Sequence, residues 1–359
     1  GIFEGWTPDI LTLAVGVFGM SFALGINSAG INNYLAGGGP GQFHVAPEQL
    51  GILEGVRETS GLLTVFFAAI VASLMAPRLA SLALIVMGVG LAALGTAPNL
   101  FVVGLAGFFW GAGFHLFGPV SNSIILALTS RGKEGHALGR MASIQALGQP
   151  AGMAVLAIFA GVVTIRGMFE LAGVVAVLAG IVLLRLPADV GGIRRMRLFL
   201  RKRYARYYLL QLLDGGRKQV FITFAVFLLV RKYGYDVRAV ATLMVFNNLL
   251  MAFVSPTVGR WIDRFGVRPI LMVNYSALIF VFLGYALIAS PIAMAFLYAL
   301  DNLFFTSNTA FTVYLRQLAP HDDVRPSLSM GVTFNHVFSA GIPLVGGLLW
   351  QNFGYQSVF

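Results

Sequence analysis

The chain has 359 residues, of which 58% are hydrophobic and only 11% are charged, and its formal net charge is +10. Soluble domains carry about 25% charged residues, so these few charges cannot coat a soluble core of this size, and an ordinary soluble domain is excluded. The apolar runs are long and unbroken, which also excludes the ~10-residue alternating strands of an outer-membrane barrel. We therefore predict an all-α integral membrane protein.

The chain contains no cysteine, which excludes disulfides, thiolate nucleophiles and cysteine-held metals. The sequence also lacks the H-E-x-x-H motif of zinc proteases, the G-x-S-x-G motif of hydrolases and the G-x-x-x-x-G-K-[ST] motif of nucleotide-binding loops. We therefore expect no enzymatic activity, no cofactor and no metal.

Eleven membrane spans are predicted in chain order, because ~20 helical residues cross the hydrocarbon layer. They cover residues 8–36, 48–76, 79–97, 100–129, 135–164, 167–186, 206–233, 237–262, 268–289, 291–318 and 326–352. Glycine and proline mark the breaks, as at 37–41 and 97–99. The sequence ends at Phe359, where a twelfth span would begin, so we expect that helix to be absent by truncation.

Basic residues cluster between the sixth and seventh spans. The cluster holds Arg185, Arg194, Arg195, Arg197, Arg201, Lys202, Arg203 and Arg206. Cytoplasmic loops are enriched in lysine and arginine, so the clustering favours a cytoplasmic linker over a nucleic-acid site. We predict a multi-pass protein of the bacterial inner membrane, with a cytoplasmic N-terminus, a lipid bilayer around it and no nucleic-acid partner.

The two halves of the chain correspond at an offset of 190 residues. In this register Arg78 falls opposite Arg268, and Gln145 falls opposite Asn335. A shared offset is typical of a duplicated unit. We predict an N-terminal six-helix bundle at 1–186, a basic linker at 187–205 and a C-terminal bundle at 206–359 with five helices present.

The loop between the eighth and ninth spans reads Gly-Arg-Trp-Ile-Asp-Arg-Phe-Gly-Val-Arg-Pro at 259–269. It resembles the G-x-x-x-D-R-x-G-R-[RK] signature of the major facilitator superfamily. The resemblance implies two pseudo-symmetric six-helix bundles that transport a solute by alternating access, and we expect a monomer. The implied gating residues are Gly259, Asp263, Arg264, Gly266 and Arg268. The corresponding loop of the first half, at 72–78, lacks the acid.

Two residues of this motif suit a gate between the bundles. Gly259 would let two helices approach closely, and Asp263 could pair with an arginine as a latch on the cytoplasmic gate.

Charged residues lie well inside two spans. Glu54, Arg57 and Glu58 share one face of the second span, since they are spaced three and four residues apart. The seventh span holds Asp214, Arg217 and Lys218. A charge at the bilayer centre costs roughly 2.5–3.5 kcal/mol unless it faces water or a partner.

In the interior of the seventh span two cations, Arg217 and Lys218, accompany one acid, Asp214, so one cation is in excess. That excess predicts either an anionic substrate group or a partner acid on another helix. The family resemblance implies that the seventh helix lines the central cavity, which favours contact of Arg217 and Lys218 with substrate.

Further polar residues are candidates for the substrate or ion pathway. Asp301, next to Asn302 in the tenth span, is a candidate proton carrier or a partner for Arg217 or Lys218. His115 and His336 could relay protons or hydrogen-bond a neighbouring helix. The amides of Asn27, Asn247 and Asn335 would add polar lining.

The favoured function is a secondary active transporter of a small organic anion or metabolite, coupled to protons. A multidrug or metabolite exporter is the alternative, because 148–152 and 341–347 look like the G-P-x-x-G-G element of drug–proton antiporters. A hypothesis from another functional class is that the protein is a superfamily relative that acts as an assembly or pigment-delivery factor and transports no solute.

Overall fold

The computed structural model describes residues 6–37, 39, 41–64, 74–130, 133–190, 200–304 and 307–359, and nearly all of them are helical. The N-terminal half comprises α1 (Pro8–Ala36), α2 (Pro47–Leu62), α3 (Ala76–Thr96), α4 (Leu100–Ala127), α5 (Glu134–Phe159) and α6 (Ile165–Leu183). The C-terminal half comprises α7 (Ala205–Val220), α8 (Val226–Arg231), α9 (Val237–Phe265), α10 (Val267–Leu287), α11 (Pro291–Leu303), α12 (Ser307–Leu318) and α13 (His321–Phe353). Residues 191–199 of the predicted linker lie outside the described residues, so the domain boundaries stay a prediction.

Local sequence explains where many helices begin and end. The side chains of Thr7, Asn99, Thr164 and Asp236 accept hydrogen bonds from the first turns of α1, α4, α6 and α9. Helix α9 ends at Gly266, whose φ of 83° lies in the left-handed region that favours glycine.

Among the described residues, eight helices are long and apolar enough to cross a membrane, namely α1, α3, α4, α5, α6, α9, α10 and α13. The other three predicted spans are interrupted or polar. Helix α2 has 16 described residues and carries four charged side chains. The seventh span runs through α7, a π-helical turn at Phe221–Ala225 and α8, and the tenth span is divided into α11 and α12. These three spans hold the candidate charged residues, as expected for helices that face a cavity.

Helices pack on one another within each half, and the most extensive contacts between the halves are made by two helix pairs. In the N-terminal half α3 packs on α4 and α6, and α1 packs on α5 and α6. Between the halves, α2 packs on α13 and α5 packs on α9. Gly51 and Gly347 allow the first pair to approach closely, because a Cβ at Gly347 would lie 2.6 Å from the carbonyl oxygen of Pro47.

Hydrogen bonds join the halves at one end of the bundle, which we name the closed end and define by residues 33–47, 157–164 and 231–238. Asn33 donates to the carbonyl of Tyr235 at 2.8 Å. Arg238 donates to the carbonyls of Ala157 and Ala160 at the end of α5, at 3.2 and 2.7 Å. Arg231 contacts the ring of His44 at 2.7 Å. We name the opposite end, with residues 184–190, 200–206 and 264–268, the basic end.

The Arg238 contacts give a test of the closed end. Arg238→Gln should remove charge-assisted hydrogen bonds worth about 1 kcal/mol at this exposed position, so the halves should separate there more often. The side chains of Val162 and Ile292 are 83% and 80% exposed. Spin labels attached at Val162→Cys and Ile292→Cys should then show longer label-to-label distances by pulsed electron paramagnetic resonance. Arg260→Gln is the matched control, because the hydrogen bond of Arg260 among the described residues is to Thr257 of its own helix. An unchanged distance distribution in Arg238→Gln would contradict this role.

Candidate functional site

A cavity of about 660 Å³ lies between the halves. Its wall combines ionisable, amide and aromatic side chains. The ionisable ones are Glu54, Arg57, Glu58, His115, Lys218 and His336. The amides are Asn27, Asn32, Gln149, Gln219, Asn248 and Asn302. The aromatic ones are Trp110, Phe114, Phe221 and Tyr298.

Three of the four charged residues on α2, namely Glu54, Arg57 and Glu58, form one ion-pair cluster. The Arg57 guanidinium lies 2.6 Å from Glu54 Oε2 and 2.7 Å from Glu58 Oε1. It also lies over the ring of Trp110, 5.4 Å from the ring centroid. Arg57 is therefore held by its own helix and by α4.

Glu58 also contacts the other half of the molecule. Its Oε2 lies 3.1 Å from Nδ1 of His336 on α13. The ring of His336 in turn meets the ring of His115 on α4 edge-on, with centroids 4.7 Å apart. Three helices from both halves therefore bring one carboxylate and two imidazoles together at the cavity wall.

The neighbouring cations Arg217 and Lys218 of α7 lie in different surroundings. Arg217 lies 3.4 Å from Asp214 and 3.2 Å from Asp301 on α11, and Tyr275 donates to Asp214 at 3.0 Å. Asp214 and Asp301 are fully buried. The partner acid on another helix, which the sequence left as an alternative, is therefore Asp301.

Lys218 lies on the cavity wall. Its ammonium donates to Oδ1 of Asn335 at 2.9 Å, and Asn335 donates to the backbone carbonyl of Gln211 at 3.1 Å. Within the described part of the chain, no carboxylate lies within 4 Å of Lys218. Lys218 is thus the cavity cation that no acid neutralises at contact distance.

The amide side chains likewise differ in whether they face the cavity. Asn27 and Asn302 line the cavity. Asn248 lines it as well, whereas Asn247 is buried behind the wall. Asn335 is buried and acts as the acceptor for Lys218.

The predicted gating residues lie at the basic end, away from the cavity. Asp263, Arg264 and Arg268 are exposed, and Asp263 makes no ion pair with any residue that the structure describes. The close approach expected at Gly259 does not occur in this conformation, because a Cβ built there meets no atom of the described residues within 4 Å. Residues 72 and 73 of the first-half loop lie outside the described residues.

Two features of the site were missed from the sequence. The π-helical turn Phe221–Ala225 presents Phe221, Ile222 and Thr223 to the cavity, and such turns often occur at functional sites. Gln149 also lines the wall, but a single amide within an apolar run gives no signal that it faces a cavity.

The family comparison agrees with this architecture. The sequence pattern described as Major Facilitator Superfamily matches residues 11–322 and 207–359. The chain belongs to the major facilitator superfamily. The fold prediction is confirmed, and the protein is a membrane transporter rather than an enzyme. No curated protein sequence matches the chain.

Solved structures of superfamily transporters are similar to this chain. The nucleoside transporter NupG has a TM-score of 0.80 at 14% identity, with 98% of this chain and 95% of that chain covered. A POT family transporter in complex with a thioalcohol-conjugated peptide scores 0.78 at 13% identity, covering 99% and 93%. A bacterial homolog of the human lysosomal transporter Spinster, inward-facing and occupied, scores 0.75 at 16% identity, covering 97% and 83%. At these identities the likeness concerns the fold alone.

The buried Arg217 cluster predicts a loss of stability on mutation. Arg217→Gln would leave two buried carboxylates without their guanidinium, so we expect the free energy of unfolding to fall by about 3–5 kcal/mol. Adding Asp301→Asn should restore part of this loss, which thermal unfolding in detergent would measure.

Arg201→Gln is the control for this experiment. The side chain of Arg201 is 54% exposed and lies 3.8 Å from Asp323, so its loss should cost under about 1 kcal/mol. If Arg217→Gln melts like the unmodified protein but loses solute binding, Arg217 contacts the solute and the cluster is not structural.

Proposed function

We propose that this protein is a secondary transporter that carries a small organic anion together with protons. The observation that supports the anion is Lys218. It is a cation on the wall of a cavity between two halves, and its contact partner is a neutral amide. A carboxylate or phosphate of the solute would supply the missing negative charge and gain a charge-assisted hydrogen bond.

The rest of the wall fits a small polar solute. Amides on α1, α5, α9 and α11 offer both donors and acceptors. Trp110, Phe221 and Tyr298 offer flat apolar faces. A cavity of about 660 Å³ accommodates a metabolite rather than a large substrate.

A neutral nucleoside is the second candidate, and the lining supports it as well. Amide side chains read the edge of a base, and aromatic rings stack on its face. The similar NupG is a nucleoside transporter. Charge distinguishes the candidates, since only the anion needs Lys218.

Lys218→Gln tests the anion. The lost charge-assisted bond is worth roughly 1.5–3 kcal/mol, so affinity for anionic solutes should fall by about ten- to a hundredfold. Lys218→Arg should retain most of that affinity. Thermal-shift screening of the purified protein, followed by calorimetry, measures both.

The control variant is Lys202→Gln, which removes an exposed cation at the basic end. Neutral nucleosides should bind Lys218→Gln as they bind the unmodified protein. Tight binding of nucleosides with no effect of Lys218→Gln on any anion would favour the second candidate. Selective binding of cationic drugs would instead favour the exporter.

Proton coupling is supported by Asp301. Its carboxylate is fully buried, and within the described residues Oδ2 has no hydrogen-bond partner. The same carboxylate lies beside Arg217, and the adjacent Asn302 faces the cavity. A proton on Oδ2 would neutralise Asp301 and weaken its attraction to Arg217, which makes the α7–α11 contact sensitive to protonation.

Asp301→Asn should abolish accumulation of solute driven by a pH gradient while exchange at equal pH continues. Glu58→Gln should do the same if Glu58 rather than Asp301 carries the proton. Proteoliposome uptake with and without a pH gradient measures this. Asp189→Asn changes an exposed acid and should leave both modes unaltered. If Asp301→Asn and Glu58→Gln both still accumulate solute when a pH gradient is applied, neither residue is the proton carrier.

The position of the basic residues supports an orientation. With the basic end in the cytoplasm of a bacterial cell, the closed end faces outward and the present arrangement faces inward. In the opposite state, the halves would meet at the basic end, where Asp263 is exposed and available as a latch. We propose that one such chain transports as a monomer.

A further inference from the structure

Glu58, His115 and His336 carry metal-binding atoms that the proposed anion site does not use. Each offers one ligand atom, and these three atoms lie within 4.8 Å of one another. All three residues line the cavity. We propose that they form a site for one divalent first-row transition-metal ion, and that this ion joins the two halves of the transporter.

The donor set determines the class of metal. Two imidazoles and one carboxylate are typical ligands of Zn²⁺ and of related ions such as Co²⁺ and Ni²⁺. Mg²⁺ and Ca²⁺ prefer six or more oxygen ligands and do not fit. Bonds of about 2.0–2.1 Å would place tetrahedral ligand atoms about 3.3 Å apart. Glu58 and His336 are already at 3.1 Å, so His115 needs the largest adjustment.

His115 has an unused ligand atom. Its Nε2 is buried and has no hydrogen-bond partner among the described residues. Gly61 on α2 leaves room for the ring, because a Cβ there would lie 3.0 Å from Nε2. A buried ring nitrogen that no group satisfies is costly, and a metal ion would satisfy it.

The surrounding charges are compatible with a cation. Arg57 bonds Oε1 of Glu58 and leaves Oε2 toward His336. The same guanidinium is neutralised by Glu54. Lys218 is the other cation beside the cluster, and it is turned to Asn335. Arg57 would thus orient the carboxylate ligand, as outer contacts of metal ligands commonly do.

The site would span the moving parts of the transporter. Helices α2 and α4 belong to the N-terminal half, whereas α13 belongs to the C-terminal half. Alternating access requires these halves to rotate against one another. A bound ion would therefore hold the present arrangement. Its binding does not depend on which solute is carried, so it can be tested apart from the proposed function.

Zn²⁺ titration of the purified full-length chain by calorimetry is the first test. We expect one ion per chain, and at least a tenfold loss of affinity in each of Glu58→Gln, His115→Gln and His336→Gln. His44→Gln and His136→Gln should bind like the unmodified protein, because both histidines lie outside the cavity. Absence of Zn²⁺ binding, or binding that survives any one of the three cavity substitutions, would overturn the proposal.

A second variant distinguishes loss of a metal ligand from loss of metal binding through misfolding. The native chain has no cysteine, so His336→Cys would introduce the single thiol. Co²⁺ bound to this variant should show a thiolate charge-transfer band that the unmodified protein lacks. Gln42→Cys, in the loop after α1, should show none. A folded His336→Cys protein that binds Co²⁺ without the band would exclude position 336 as a ligand and overturn the proposal.

Discussion

The central constraint on this molecule is that charges inside the membrane need a partner or contact with water. Most helices carry charged residues only near their ends, whereas α2, α7 and α11 carry them well inside the predicted spans. Arg57 is matched by Glu54 and Glu58, and Arg217 is matched by Asp214 and Asp301. The first cluster lines the cavity, and so do Lys218 and Asn302, the sequence neighbours of Arg217 and Asp301, so the spans with internal charges are those that contribute to the cavity.

The composition and loop pattern were sufficient to predict the fold. Long apolar runs predicted eleven spans, of which eight are apolar helices long enough to cross a membrane among the described residues, and the motif at 259–269 indicated the superfamily. The interrupted helices were less predictable. The π-helical turn at Phe221–Ala225 and the end of α11 at Leu303 lie at or next to residues that line the cavity. At such positions, neighbouring helices and polar groups can bond the backbone N–H and C=O groups that an interrupted helix leaves open. The position of the interruption therefore depends on tertiary packing and not on local helix propensity.

The candidate residues were found from the sequence, but their pairing was not. Arg217 and Lys218 are neighbours in the sequence, yet a step of about 100° around the helix directs one toward two buried acids and the other toward the cavity. The cluster of Glu58, His115 and His336 combines residues that are far apart in the sequence, so no spacing motif reveals it. Only the packing of α2, α4 and α13 brings them together, and the expectation of no metal was drawn from local motifs alone.

A short chain of contacts connects the cavity cation to the boundary between the halves. Lys218 bonds Asn335, the next residue is His336, and His336 contacts Glu58 of the other half. An anion that drew the Lys218 ammonium into the cavity would release the Asn335 amide oxygen and loosen the turn of α13 that holds His336. Because α2 packs on α13 across the boundary between the halves, the proposed anion site and the inter-half contact would share one turn of one helix. The same turn would carry both recognition of charge and control of the movement that transport requires.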